Sequence, residues 1–111
     1  MGDFATRKIG PDVTVIQPTG RLNMVGASNL RKQFQGIVDG GISRIVVDLS
    51  TTEFIDSSGL GALISGLKMA RQAGGDLRIT ATPQQVSTVL ELTNLNRVLP
   101  NYDSADTAFD D

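Results

Sequence analysis

The spacing of apolar and polar positions changes along the chain, and each change predicts an element. Val13-Thr14-Val15-Ile16 is β-branched and follows the turn cluster Gly10-Pro11-Asp12, which predicts a hairpin with an earlier strand around Phe4 to Ile9. After Pro18-Thr19-Gly20 the spacing becomes helical: Ala27, Leu30, Phe34 and Ile37 share one face, and Gly40-Gly41 supplies a stop. Ile45-Val46-Val47-Asp48-Leu49 is almost continuously apolar, as expected of a central strand covered on both faces. From Ser57 onward, Leu60, Leu63, Ile64, Leu67 and Ala70 mark a second helix that stops at Gly74-Gly75. Leu77, Ile79 and Ala81 then alternate with Arg78 and Thr80, which predicts a strand with a more exposed face. Thr82-Pro83-Gln84-Gln85 offers an N-cap hydroxyl, a proline at the first helical position and a capping-box glutamine before Val86, Val89 and Leu90.

The predicted order is β-β-α-β-α-β-α, an α/β domain with a small mixed β-sheet and packed helices. Leu30, Phe34, Val47, Leu63, Leu67 and Leu90 fall at the buried phase of their elements and are expected to form one core. Residues 1–111 are expected to be one domain, since a chain of this length can bury one core and not two. From Pro100 the tail carries Asp103, Asp106, Asp110 and Asp111 with few apolar anchors, so a weak helix or an acidic frayed end from about 103 is expected.

Composition narrows the chemistry. There is no cysteine and no histidine, which removes thiolate nucleophiles, histidine triads, the commonest general base and the commonest zinc ligands. No cofactor, no metal and no catalytic residue is expected. Lys and Arg total 10 against 12 Asp and Glu, and no stretch gathers the basic residues, so nucleic acid is not an expected direct partner. Met1-Gly2-Asp3-Phe4-Ala5-Thr6-Arg7-Lys8 lacks the apolar core of a signal peptide, and no run is long enough to span a bilayer. A cytoplasmic location without membrane insertion is expected.

The unusual stretch is Phe54-Ile55-Asp56-Ser57-Ser58-Gly59-Leu60-Gly61, at the join between the central-strand region and the second helix. Core building has no need for adjacent hydroxyls between an aspartate and two glycines. A helix start, by contrast, presents unpaired N–H groups and the positive end of a dipole. Asp56 or Ser57 can act as the N-cap, and only one of them can hold that place. Gly59 and Gly61 would leave the first turn open to another protein's backbone or to a phosphate. An ordinary N-cap explains an isolated Asp-Ser-Ser equally well, but this one follows a central strand, where open α/β sheets place their binding sites.

These residues, with Gly20-Arg21-Leu22-Asn23, Val46-Val47-Asp48-Leu49-Ser50, Ala70-Arg71-Gln72-Ala73-Gly74-Gly75 and Val89-Leu90-Glu91-Leu92-Thr93-Asn94-Leu95, resemble the STAS domain family. The resemblance is to its free-standing bacterial members, the anti-sigma-factor antagonists. It spans nearly the whole chain, and the Asp-Ser-Ser-Gly-Leu-Gly run is its specific part. It implies a non-catalytic switch that captures an anti-sigma factor, itself a GHKL-type serine kinase, and thereby frees a sigma factor. It further implies that this kinase phosphorylates Ser57, which breaks the contact, and that a protein phosphatase resets the switch. Partner contacts are then expected at Arg21, Leu22, Asn23, Asp56, Ser58, Gly59, Leu60 and Gly61. Asn23 departs from the family, which commonly has an acidic residue at that position.

Two other functions compete. A nucleotide-binding enzyme would use the Gly-Ser helix start to cradle phosphate, but Ile64 stands where the third glycine of a dinucleotide fingerprint belongs, and there is no Gly-Lys-Ser/Thr run. Asp48 and Asp56 could pair as carboxylates, although an aspartate at a strand end is more often a hydrogen-bonded structural residue. A STAS regulatory subunit of a membrane transporter, or a stress-signalling scaffold, would keep the fold and change the task.

Overall fold

The computed structural model describes residues 4–110, and the ends of the expected domain, 1–3 and 111, lie outside the described residues. Strands β1 (Ala5–Ile9) and β2 (Val13–Gln17) form the predicted antiparallel hairpin. There follow β3 (Gly20–Leu22), α1 (Met24–Asp39), β4 (Arg44–Asp48), β5 (Thr52–Ile55), α2 (Ser57–Gln72), β6 (Asp76–Thr80) and α3 (Gln84–Leu92). A short 3-10 turn, Leu95–Arg97, leads to β7 (Asn101–Tyr102).

The main sheet has the order β1-β2-β4-β6-β7, so β4 lies at its centre as its apolar run predicts. Its pairings beyond the hairpin are all parallel, which makes the sheet mixed. Alternation on β4 serves two layers. Ile45 and Val47 join the large core with Leu30, Phe34, Leu63, Leu67 and Leu90, while Val46 points to the opposite face with Val13 and Val15. The expected six-residue core is therefore a single cluster.

Three departures from the predicted pattern have physical causes. First, β3 and β5 pair with each other in a separate two-stranded parallel sheet that the periodicity does not announce, because three- and four-residue segments are too short to show a period. Second, the β6 face that should be exposed is covered. Thr80 is buried, and the Arg78 guanidinium stacks 4.3 Å from the Phe109 ring and donates to the Ala108 carbonyl at 2.7 Å. The C-terminal tail supplies that cover. In place of the expected weak helix it holds β7 and a run of turns, with Ala105 and Ala108 buried against Val13, Val15 and Val46. Ala81 is exposed at φ 54, past the end of the strand.

The third departure is the start of α3. Pro83, not Thr82, stands at the N-cap, with no side-chain cap bond. The Thr82 hydroxyl donates instead to Asn101 Oδ1 at 2.7 Å, and Gln85 turns away from the helix to the backbone of Ile55.

Candidate functional site

Parallel pairing of β3 with β5 creates the site. Leu22 and Ile55 are register partners, and each strand ends one residue before a helix cap. The two helices therefore start side by side and run the same way. Their packing confirms the direction: Arg31 of α1 lies against Gly61 of α2, and further along Phe34 lies against Gly66.

Of the two candidate caps for α2, the structure selects Asp56. Its Oδ1 accepts from the N–H groups of Ser58 at 2.9 Å and Gly59 at 3.2 Å. This satisfies two of the orphan donors of the first turn and places a carboxylate at the positive end of the helix dipole. Asn23 does the same for α1, accepting from Gly26 N–H at 3.3 Å. The backbone behind Asp56 is held from two sides. The Gln85 amide exchanges a pair of bonds with Ile55, accepting from its N–H at 3.0 Å and donating to its carbonyl at 3.3 Å. Asp56 N–H donates to the Leu22 carbonyl at 3.4 Å.

On this frame Ser57 is the first residue of α2 and is exposed, while Ser58 is half-buried. Arg21 and Asn23 are exposed, and the Arg21 guanidinium lies 4.4 Å from the centre of the Phe54 ring. Asp56 and Gly61 are half-buried. Leu22, Gly59 and Leu60 are buried, so these three candidate contact residues shape the surface from behind.

The glycines correct a further expectation. Gly59 does not leave space for a visitor: a Cβ there would lie 2.5 Å from the Leu22 carbonyl oxygen and 2.6 Å from Ile55 Cγ1. Its bare Cα lets α2 sit directly on the β3–β5 pair. At Gly61 a Cβ would lie 2.9 Å from Arg31 Nη2, so that space is already taken by a side chain from α1.

Sequence reasoning missed two residues of this surface. Met24 and Val25, the first residues of α1, are 75% and 61% exposed, large apolar side chains on the helix whose start neighbours that of α2. The signal was present for Val25, which falls on the side of α1 opposite Ala27, Leu30 and Phe34. Exposed apolar side chains next to a polar helix start are the chemistry of a protein contact. Among the described residues no group of three or more His, Cys, Asp or Glu is placed to hold a metal ion. A cavity of about 400 Å³ lined by Arg44, Arg71, Asp76 and Arg78 lies at the other end of α2, away from Ser57.

Comparison with known proteins agrees with this architecture. The STAS domain family model matches residues 5–108. A Thermotoga maritima protein assigned as an anti-sigma factor antagonist is 33% identical over 105 residues, covering 94% of this chain and 93% of that protein. The anti-sigma F factor antagonist of Paenibacillus polymyxa is 28% identical over 83% of this chain and 80% of its own length. A crystal structure of a Thermotoga maritima protein assigned to the same class superposes with a TM-score of 0.86 at 33% identity, covering 96% of this chain and 92% of that one. The parallel helix starts, the mixed sheet and a match over almost the full length lead to one conclusion: the chain belongs to the STAS domain family.

Proposed function

We propose that this chain is an anti-sigma-factor antagonist that binds an anti-sigma factor of the GHKL serine kinase type, releases a sigma factor, and is switched off by phosphorylation of Ser57. The similarity to named antagonists supports the class. The observation that carries the switch is the placement of Ser57: an exposed residue at the first position of α2, directly after the capping carboxylate, on a helix that starts alongside α1 with its exposed Met24 and Val25. Arg21, Asn23, Met24 and Val25 supply the remaining contact surface, with Asp56, Ser58 and Gly61 at its edge.

The electrostatics give the direction of the switch. A serine phosphate adds about −1.5 to −2 charges at neutral pH. Beside Asp56 it concentrates negative charge on the contact surface and brings a strongly hydrated group to a helix that starts alongside α1 with its apolar Met24 and Val25. Docking would have to strip that hydration, which costs affinity. The α2 dipole favours the phosphate, so the helix persists and the modification acts by obstruction. A protein phosphatase would restore the contact.

Under this reading the chain works by binding in the cytoplasm, without turnover, and without inserting into a membrane or contacting nucleic acid. Among the described residues no helix is long and apolar enough to cross a membrane. The test is incubation with the cognate anti-sigma kinase and ATP, followed by mass spectrometry that localises the phosphate. We expect Ser57 alone to be modified, because Ser58 is half-buried and its N–H is tied to Asp56. Modification of Ser58 instead, or of neither serine, would contradict the proposal.

A further inference from the structure

Arg31 sits in the middle of α1 and is exposed, yet its side chain leans across to α2. Its Nη2 lies 2.9 Å from the position a Cβ would take at Gly61. Its neighbours three and four residues away on α1 are Ala27, Ser28, Phe34 and Gln35, so it has no helical ion-pair partner of its own. Around Gly61 on α2, the same spacing gives Ser57, Ser58, Ile64 and Ser65, which carry no charge either. Among the described residues Arg31 makes no ion pair and no hydrogen bond.

Ser57 and Gly61 are four residues apart on one helix and so share a face, with side-chain origins about 5–6 Å apart. Arg31's own Cα–Cβ bond tilts toward the N-terminus of α1, and because α2 runs parallel to α1 this carries the guanidinium toward the start of α2, to the level of Gly61. The guanidinium thus lies beside Gly61, one helical turn along α2 from Ser57, and it stands there because residue 61 has no side chain to exclude it.

We infer that the Arg31 guanidinium receives the phosphate of phosphorylated Ser57, making Arg31 a positioning residue that folds the modified serine onto the α1–α2 groove. This deepens the functional proposal and rests on its assignment of Ser57 as the modified residue. The other charged groups near the helix start do not duplicate the role. Asp56 is turned into the N–H groups of Ser58 and Gly59, Arg21 is stacked on Phe54, and Glu53 on β5 is exposed and of the wrong sign. From α3, packed behind β5, comes the uncharged amide of Gln85. A planar guanidinium matches phosphate oxygens in paired hydrogen bonds, which a lysine reproduces only as a point charge.

The experiment uses the full chain with phosphoserine installed at position 57 during synthesis, so no kinase is needed and the outcome is independent of whether one modifies Ser57. The phosphate is titrated by ³¹P NMR at low ionic strength in the otherwise unaltered chain, in Arg31→Gln and in Arg31→Lys. An adjacent cation favours the dianion, so its second ionisation should fall at a pH lower by about half a unit or more when Arg31 is present. Arg31→Gln should lose that shift, and Arg31→Lys should recover part of it. Circular dichroism checks that each variant is folded, which an exposed mid-helix glutamine permits. Coincident titration curves in all three chains would overturn the inference.

Discussion

Asn23 and Asp56 hold equivalent positions at the starts of two neighbouring helices. Each follows a register partner in the β3–β5 pair, Leu22 or Ile55, and each accepts a hydrogen bond from the N–H three residues on. Asp56 makes a second, shorter bond to Ser58 N–H, and it alone brings formal charge to the dipole. The site is thus a pair of capped helix starts, one neutral and apolar-flanked, the other acidic and carrying Ser57.

The two caps should differ in strength. Asp56→Ala is expected to cost about 1–2 kcal/mol, and Asn23→Ala about 0.5–1 kcal/mol, because the latter loses one long bond and no charge. Asn23→Asp should leave stability unchanged or raise it by a few tenths, roughly, through the dipole. Urea denaturation midpoints of the three variants check this order, and an Asn23→Ala loss as large as that of Asp56→Ala would refute it.

Gly59 and Gly61 lie in the same stretch of α2 and should respond oppositely to alanine. A methyl at 59 meets the Leu22 backbone, which cannot yield without moving β3, so a loss of about 1–3 kcal/mol or more is expected. At 61 the methyl meets only the end of the flexible Arg31 side chain, and alanine is favoured in a helix by up to about 1 kcal/mol. Thermal unfolding of both variants separates them. Equal destabilisation would mean that Arg31 cannot move aside.

Leu63 is fully buried where α2 meets the core. Leu63→Ala should cost about 2–5 kcal/mol, the range for a deleted core leucine. A loss of only a few tenths would place α2 differently on the sheet.

Thr82 and Asn101 should behave as a unit. The Asn101 Oδ1 accepts from both the Thr82 hydroxyl and the Thr82 N–H, at 2.7 and 3.1 Å. Thr82→Ala is expected to cost about 0.5–1 kcal/mol, and Asn101→Ala at least as much, because it removes both bonds where Thr82→Ala removes one. In a double-mutant cycle the two losses should add to more than the double variant loses. Strict additivity would show that the Thr82 hydroxyl acts on α3 alone.

What the sequence disclosed follows from locality. The hairpin, α1, β4 and α2 are long enough to display a period, and Gly10-Pro11-Asp12, Gly40-Gly41 and Gly74-Gly75 punctuate them. The Asp56-Ser57-Ser58 start was legible for the same reason, since a cap is a property of four adjacent residues. The missed features all join distant segments. β3 and β5 exist only as each other's partners, and Thr82 is diverted from its cap by a residue 19 positions later. The inward role of Gly59 depends on Leu22, and the contact of Arg31 with Gly61 depends on the parallel start of two helices. Met24 and Val25 could be seen as apolar, but the placing of their helix start alongside that of α2 needed that same pairing.

The central claim is that charge at Ser57 governs partner binding while the fold stays intact. Calorimetric titration of the cognate anti-sigma kinase with the parent chain, Ser57→Ala and Ser57→Asp tests it most directly, with circular dichroism on each variant. The account predicts that Ser57→Ala binds as the parent does, since alanine loses at most a hydroxyl at an exposed first-turn position. Ser57→Asp should bind at least tenfold more weakly, about 1.4 kcal/mol, while remaining folded. Equal affinity of all three folded chains would contradict the phosphoswitch.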